Sequence, residues 1–403
     1  MHAHYDAVIV GARCAGASTG MLLARAGLRV LVVDRDPAGS DTLSTHALMR
    51  GGVLQLARWG LLDGIVAAGT PPIRSTTFHY GAEPIEIAIK PRHGFDALYA
   101  PRRTVLDALL EDAARAAGAE IVHGPSAVEL LRDADGRVRG VTLDQGGVRS
   151  LVRADLVIGA DGRRSRIARL VGAAVERRGR HAAAVIYAYF EGLASHAFHW
   201  HYVPGVSVGV IPTNGGRTCV FAAMPARRFR EQLSLGLESI YRQVLLEASP
   251  QLARAAGEAT RMGKLWPFPG LPGSLLRSFG PGWALVGDAG VFRDPITAHG
   301  ITDALRDAEL LARAVVGGNL AAYQAARDEM AAPMLDISDT LAAFEWNLEE
   351  AKVLHLDLSR QMNAEVAVMR GWDPAPAAGQ ERRLAACPVS WPVRPIAREA
   401  AVR

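Results

Sequence analysis

The stretch Ala7-Val8-Ile9-Val10-Gly11-Ala12-Arg13-Cys14-Ala15-Gly16, with Asp34 beyond its far end, decides the fold. Ala7 to Val10 is a short continuous apolar run, the pattern of a parallel strand buried on both faces. Gly11 to Gly16 reads as a turn. Met21, Leu22 and Leu23 fall on the following helix, which stops near Gly27. Leu28 to Val33 is a second strand, closed by Asp34. Strand, glycine turn, helix and strand within about 30 residues form one βαβ unit.

The turn has the spacing GxGxxG, with Arg13 in place of the middle glycine. Gly11 permits the tight turn and Gly16 lets helix and strand approach closely. The helix N-terminus aims backbone N–H groups at an anion, and a dinucleotide pyrophosphate is the ligand this arrangement suits. The absent middle glycine leaves two options: Arg13 points away, or its guanidinium joins the anion site. Asp34 stands where a carboxylate hydrogen-bonds ribose hydroxyls. Cys14 is a small turn residue rather than a reactive thiol.

Outward from this unit, 403 residues suffice for two or three domains. Hydrophobic residues at 49% and charged residues at 21% exclude disorder as the main state. A formal charge of +4 without a dense basic run argues against a nucleic-acid partner. Of 45 basic residues, only Lys90, Lys264 and Lys352 are lysines. Cys14, Cys219 and Cys387 are scattered, so neither a disulfide framework nor a zinc site is expected. No signal peptide or apolar span of membrane length is read, which makes the cytoplasm the expected location.

Further along, residues 41–67 read as helical, interrupted by Gly51-Gly52 and Gly60, and Arg103 to Ala117 is an amphipathic helix. Val128–Leu131 and Arg139–Leu143 flank an Asp135-Gly136 hairpin turn. Strands expected at 181–190, 199–203, 206–211 and 217–223 make a separate antiparallel sheet. Trp266 to Gly273 reads as a Pro/Gly-rich stretch. The expected architecture is α/β: a Rossmann-like nucleotide-binding domain, an inserted antiparallel β-sheet substrate domain and a helical C-terminus. The boundaries are 1–75, 96–175 and 280–330 for the first, 76–95 and 176–279 for the second, and 331–403 for a helical region ending in a flexible tail. Ligands belong where the two domains meet.

Two more strand-end runs carry chemistry. One is Gly159-Ala160-Asp161-Gly162 with Ser165. The other is Gly287-Asp288-Ala289, then Pro295, Ala298-His299-Gly300-Ile301 and Asp307, opening a helix whose N-terminus favours negative charge. The three runs together resemble the class A FAD-dependent monooxygenases, the para-hydroxybenzoate-hydroxylase-like group, over roughly residues 5–330.

The resemblance implies roles residue by residue. Gly11, Gly16 and Asp34 would hold the ADP half of FAD, and Arg103 would contact the ribityl–diphosphate portion. Asp288 would bind the ribityl chain or pyrophosphate, and Pro295, Ala298, His299 and Gly300 would line the isoalloxazine ring. Asp161 and Gly162 would shape the middle motif. Arg13, Cys14, Ala15, Arg35, Val128 and Ile301 complete the expected cofactor-binding set, and no metal is expected. Ala298 and His299 replace a commoner Gly-Gln pair. His46 and His299 are the candidates for a catalytic side chain, although for His299 the backbone alone can serve.

The implied activity uses NAD(P)H and O2, through a C4a-(hydro)peroxyflavin, to oxygenate a small aromatic or natural-product-like substrate. The protein would be a monomer or homodimer. Tyr187, Tyr189, Trp200, Tyr202 and Phe221 are candidate pocket walls. His199-Trp200-His201 alternates, so both histidines share one face, as pocket wall or as ordinary half-buried sheet. Alternatives are a flavin-dependent halogenase, a geranylgeranyl-reductase-type oxidoreductase, a non-catalytic flavin binder and a plain NAD-dependent dehydrogenase. The halogenase signature Trp-x-Trp-x-Ile-Pro is absent and lysine is scarce, which disfavours the first.

Overall fold

The computed structural model describes residues 4–193 and 195–372. The tail expected at the C-terminus, and Cys387 with it, lie outside the described residues. Cys14 and Cys219 are free and buried.

The sheet that positions the site is built around the first strand, His4–Val10. It pairs in parallel with Val30–Asp34 on one side and with Val148–Gly159 on the other. Glu120–His123 extends the sheet beyond Val30–Asp34, and Trp283–Leu285 extends it beyond Val148–Gly159, both in parallel. Ala7 to Val10 and Val30 to Val33 are buried, as residues covered on both faces must be. Ser126–Arg132 and Val138–Gln145 form the expected hairpin and add an antiparallel flank to the long strand. The helix Cys14–Arg25 is buried from Cys14 to Ala24. It is wedged between the helices Arg103–Ala116 and Gly300–Val316.

The second sheet runs in the order Thr260–Phe268, Ala183–Glu191, Arg217–Pro225, Val206–Thr213, Phe198–Val203, Ser75–Tyr80, Glu83–Ala88. The sequence leads one to expect an antiparallel sheet, but Phe198–Val203 pairs with Ser75–Tyr80 in parallel. The hairpin 75–88 is contributed before the chain returns to the first sheet, so no tight turn dictates the orientation at that seam. Pro267 sits within Thr260–Phe268, which is an edge strand, where a missing N–H is tolerated. The Pro/Gly-rich reading of that stretch therefore missed the last three residues of a strand.

One face of this sheet presents Tyr187, Tyr189, Trp200, Tyr202 and Phe221 to the core shared with the first sheet. The other face, with Ile186, Ala188, Val208 and Val220, is packed by the helix Leu237–Ala248. A small sheet of Val175–Arg178, Ser274–Leu276 and Val291–Phe292 lies beside these two.

Residues 41–49 are not helical; the helix there is Arg50–Arg58. Gly51 and Gly52 do not interrupt it. They let it approach the helix Gly300–Val316, and a Cβ on Gly52 would stand 2.9 Å from Thr302 Oγ1. The C-terminal part consists of the helices Leu320–Ala343 and Leu348–Arg370, the second opened by an Asn347–Glu350 capping box. No helix among the described residues is long and apolar enough to cross a membrane.

Candidate functional site

The three motifs converge at the carboxyl ends of neighbouring parallel strands. Ala160 N–H donates to Val10 O at 2.8 Å, and Val286 N–H to Gly159 O at 2.9 Å. Contact there is so close that side chains are excluded. Gly11 has φ 107°, and a Cβ on it would lie 2.4 Å from Ala160 O. A Cβ on Gly16 would lie 1.7 Å from Gly11 O. Gly287 is held 2.9 Å, measured from its would-be Cβ, from the Ala15 side chain. The helix above this cradle has no side-chain cap and no acidic residue in its first turn. Its leading N–H groups are therefore open to an anion.

Asp34 is fixed at its strand end: one carboxylate oxygen accepts Ala12 N–H at 2.8 Å, the other Asp36 N–H at 2.9 Å. Arg13 swings out of the turn and bonds Ser40 O at 3.1 Å and Asp36 at 3.1 Å. Together with Asp34, Asp107 and His123, these residues line a hollow beside the turn. Arg35 is largely solvent-exposed near Asp36. Val128 falls where strand pairing skips a position between Ala127 and Glu129.

Asp107 was missed in the sequence, although Arg103 and Asp107 have the i, i+4 spacing of a helical ion pair. Its carboxylate accepts from Arg103 at 3.0 Å and from Cys14 Sγ at 3.1 Å. Burial pushes the Cys14 thiol up, so it stays protonated and unreactive. Burial opposes the charge of Arg103, but Asp107 foremost, with Asp288 adding to it, holds the guanidinium firmly charged.

Asp288 is half-buried and takes no hydrogen bond among the described residues. Burial, reinforced by Asp303, pushes its carboxyl up to about 6, against the pull of Arg163, Arg103 and Arg293. The carboxylate of Asp161 is used within the fold. It accepts from Ser165 Oγ and Arg166 N–H, both at 2.5 Å, at the start of the helix Arg166–Val171. What the middle motif presents to the cradle is the Ala160–Asp161 backbone; Gly162, at φ 75°, turns the chain away.

After Arg293 the chain makes a short turn, Pro295–Thr297. Asp294 caps it through Ile296 N–H at 3.0 Å and ties it to the second sheet through Ala183 N–H at 2.7 Å. Ala298 is left-handed, with φ 51°. His299 opens the helix Gly300–Val316, and its ring is buried, with Nε2 2.8 Å from Glu365. Ligand atoms of His299, Asp303 and Glu365 lie within 4.8 Å of one another. Arg293 and Arg306 occupy those carboxylates, which makes the group an ion-pair network.

His46 has φ 70° and is buried where the two sheets face each other. Its Nε2 is hydrogen-bonded to the Tyr189 hydroxyl. Burial, then Arg102 and Arg103, hold it well below the usual histidine range, so the ring is neutral. Ser44 N–H donates to the Tyr187 hydroxyl at 3.2 Å. Arg102 lies 4.1 Å over Tyr189, and Trp266 stacks on Tyr187 at 6.4 Å. These contacts join an aromatic wall to the glycine-cradle domain. The other wall candidates are used elsewhere. Trp200 donates to Thr76 at 2.9 Å, Phe221 fills the space over Gly209, and Tyr202 packs on His355 and Trp346. His199 and His201 cluster with His79 on the opposite face of the sheet, away from this wall.

The deciding comparison is with the FAD binding domain family, whose profile matches residues 4–334. The chain belongs to this FAD binding domain family, and it is an FAD-dependent oxidoreductase. It is 28% identical over 344 residues to the menaquinone reductase of Mycolicibacterium smegmatis, covering 81% of this chain and 80% of that one. It is 27% identical over 370 residues to the ubiquinone hydroxylase UbiL of Rhodospirillum rubrum, covering 83% and 80%. Among solved structures, PqsL of P. aeruginosa in complex with 2-aminobenzoylacetate superposes with a TM-score of 0.74 at 22% identity, covering 87% of this chain and 99% of that one. A flavin-dependent brominase gives 0.75 at 20%, covering 92% and 96%. At such identity these structures show the shared fold.

The residues fit FAD. A cradle closed to side chains, an uncapped helix N-terminus above it, and a half-buried carboxylate without a protein partner suit a diphosphate and a polyol chain.

Proposed function

We propose that the chain is an NAD(P)H- and O2-dependent monooxygenase of a small aromatic or natural-product-like substrate. The supporting observation is the aromatic wall of Tyr187, Tyr189 and Trp266, which Ser44 and His46 bind to the cofactor domain. Bound FAD would supply hydride acceptance from the nicotinamide and the activation of oxygen. The chain's own residues hold, orient and shield. The Gly11–Gly16 turn and its helix bind the pyrophosphate, Asp34 the adenosine ribose, and Asp288 with Arg103 the ribityl–diphosphate portion. The start of the helix Gly300–Val316 places its partial positive charge along the ring system. Neutral His46, fixed by Tyr189, presents its unpartnered Nδ1 near the wall. The apolar wall excludes water and holds a planar substrate by stacking.

A reductase acting on an isoprenoid compound is the second reading, and the likeness to the menaquinone reductase favours it. The halogenase reading requires a lysine beside the substrate. Lys90 is exposed and Lys352 is paired with Glu83 and Glu349, but Lys264 Nζ lies 4.4 Å over the Trp266 ring of the wall, so halide dependence has to be assayed.

The test is to purify the protein, assay its FAD, and follow NAD(P)H oxidation and oxygen uptake with aromatic and isoprenoid panels, with and without chloride. Substrate-stimulated oxygen uptake with an oxygenated product is expected. Substrate reduction without oxygen uptake would transfer the assignment to the reductase, and halide-dependent product to the halogenase.

A further inference from the structure

The buried network below the start of the helix Gly300–Val316 has a member from outside the matched domain. Glu365 lies on the C-terminal helix Leu348–Arg370, beyond the family match that ends at 334. It is 4% exposed, and both its oxygens are engaged. One is 2.8 Å from His299 Nε2, the other 2.6 Å from Arg306 Nη1. His299 immediately precedes the helix, and Arg306 lies two turns into it. One carboxylate therefore clamps the end of the 295–299 turn to the helix that the turn opens. Asp303 completes the clamp, pairing with Arg293 before the turn and with Arg306 at 2.9 Å.

The direction of the hydrogen bonds follows. Burial opposes the charge of Glu365, but Arg306, then His299, hold the carboxyl ionised. A carboxylate accepts, so His299 Nε2 carries the hydrogen. The ring cannot then rotate without leaving a buried anion short of a donor. His299 Nδ1 is buried and has no partner among the described residues, so Nε2 is the ring's one anchor. Ala298, beside it, is left-handed at φ 51°, a conformation that a non-glycine residue keeps only when its surroundings impose it.

We infer that Glu365 is a positioning residue of the flavin site: acting through His299 and Arg306, it makes the C-terminal helix the buttress of the 295–300 loop. This rests on the assignment of FAD to the cradle. It goes beyond that assignment by giving the C-terminal helix a part in cofactor binding. Glu365 touches neither the cradle glycines nor Asp288, and its effect travels through the loop.

The test uses the full chain stripped of flavin, with FAD affinity read by flavin fluorescence and the visible spectrum recorded on reloading. Wild type is measured first. Glu365→Gln and His299→Ala are each expected to weaken FAD binding tenfold or more and to shift the visible bands of the bound flavin. The double variant is expected to be no weaker than the worse single variant, since both cut one link. His299→Gln retains an N–H donor towards Glu365 and is expected to restore affinity and spectrum towards wild type, a recovery that general destabilisation would not give. Should Glu365→Gln fail to fold, the comparison of His299→Ala with His299→Gln carries the test alone. Wild type binding FAD, with folded variants matching it within twofold and showing its spectrum, overturns this inference and leaves the flavin assignment standing. Failure of wild type to bind FAD overturns both.

Discussion

Asp288, proposed to bind the ribityl–diphosphate portion of FAD, is set apart by what it does not do. It has no hydrogen bond among the described residues, while burial and Asp303 push its carboxyl up to about 6. Replacing it therefore removes no internal bond. Asp288→Ala is expected to lower FAD affinity at least tenfold, in line with about 1.5–3 kcal/mol for hydrogen bonds to a charged group. Thermal unfolding of the flavin-free protein should stay unchanged or rise slightly; a marked fall would make Asp288 a structural residue. Asp294 behaves oppositely. It accepts two backbone N–H groups, and burial still pushes it up to about 7 from 3.8. The native state holds this proton more tightly than the unfolded chain does. The contribution is thus full below pH 3.8 and is lost as pH rises to about 7. That loss is on the order of 4 kcal/mol. Asp294→Asn cannot ionise, so its stability relative to wild type should rise steadily from pH 4 to pH 7 in urea titrations. A constant gap would show that Asp294 ionises in the fold as readily as in the unfolded chain. Both residues lie within a motif visible in the sequence, but only Asp288 stands at a position the resemblance marks. The load on Asp294 comes from Ala183, more than a hundred positions away, and no local pattern encodes it.

Elements were legible where their reason is local. The run Ala7–Val10, the glycine turn and the Asp135-Gly136 hairpin all depend on neighbours in sequence, and each is found where it was read. Gly51 and Gly52 show the limit. Read locally they break a helix; in the fold they sit inside Arg50–Arg58, because Thr302, some 250 positions later, needs the space. The same holds for the parallel seam between Phe198–Val203 and Ser75–Tyr80, which no turn signal announces. The glycine reading has a direct check. Gly52→Val places a branched side chain against Thr302 Oγ1 and the Leu48 side chain. Overpacking of this kind costs about 1–3 kcal/mol. The displaced partner is the helix whose start is proposed to face the flavin, so FAD affinity should fall together with the urea midpoint. Full FAD affinity at reduced stability would mean that the strain is absorbed without moving that helix.

At the scale of the molecule, three bodies of structure meet: the cradle sheet, the second sheet and the C-terminal helices. The seam between the last two is aromatic. His355, on the helix Leu348–Arg370, lies 4.2 Å from the Tyr202 ring centroid and bonds the Tyr80 hydroxyl at 3.0 Å. Phe78 and Trp346 close the cluster. Burial pushes His355 down to about 4 from 6.5, with a backbone hydrogen bond from the Ala351 side opposing only in part. Here the unfolded chain binds the proton more tightly. Stability is therefore unaffected above pH 6.5 and falls as pH drops towards 4, by about 3 kcal/mol for this one group. Other depressed histidines, His46, His79, His199 and His201, add slope of the same sign, so the absolute curve cannot isolate His355. The difference from a variant can. His355→Gln keeps a partner for Tyr80 and loses the titration. It should be the less stable protein at pH 7.5, where ring packing is lost, and the gap should close or reverse by pH 4.5. Urea midpoints at the two pH values decide it: a gap that stays constant would mean that the seam between sheet and helix opens to let His355 protonate freely, and the C-terminal helix would then be too loosely docked to buttress the flavin loop.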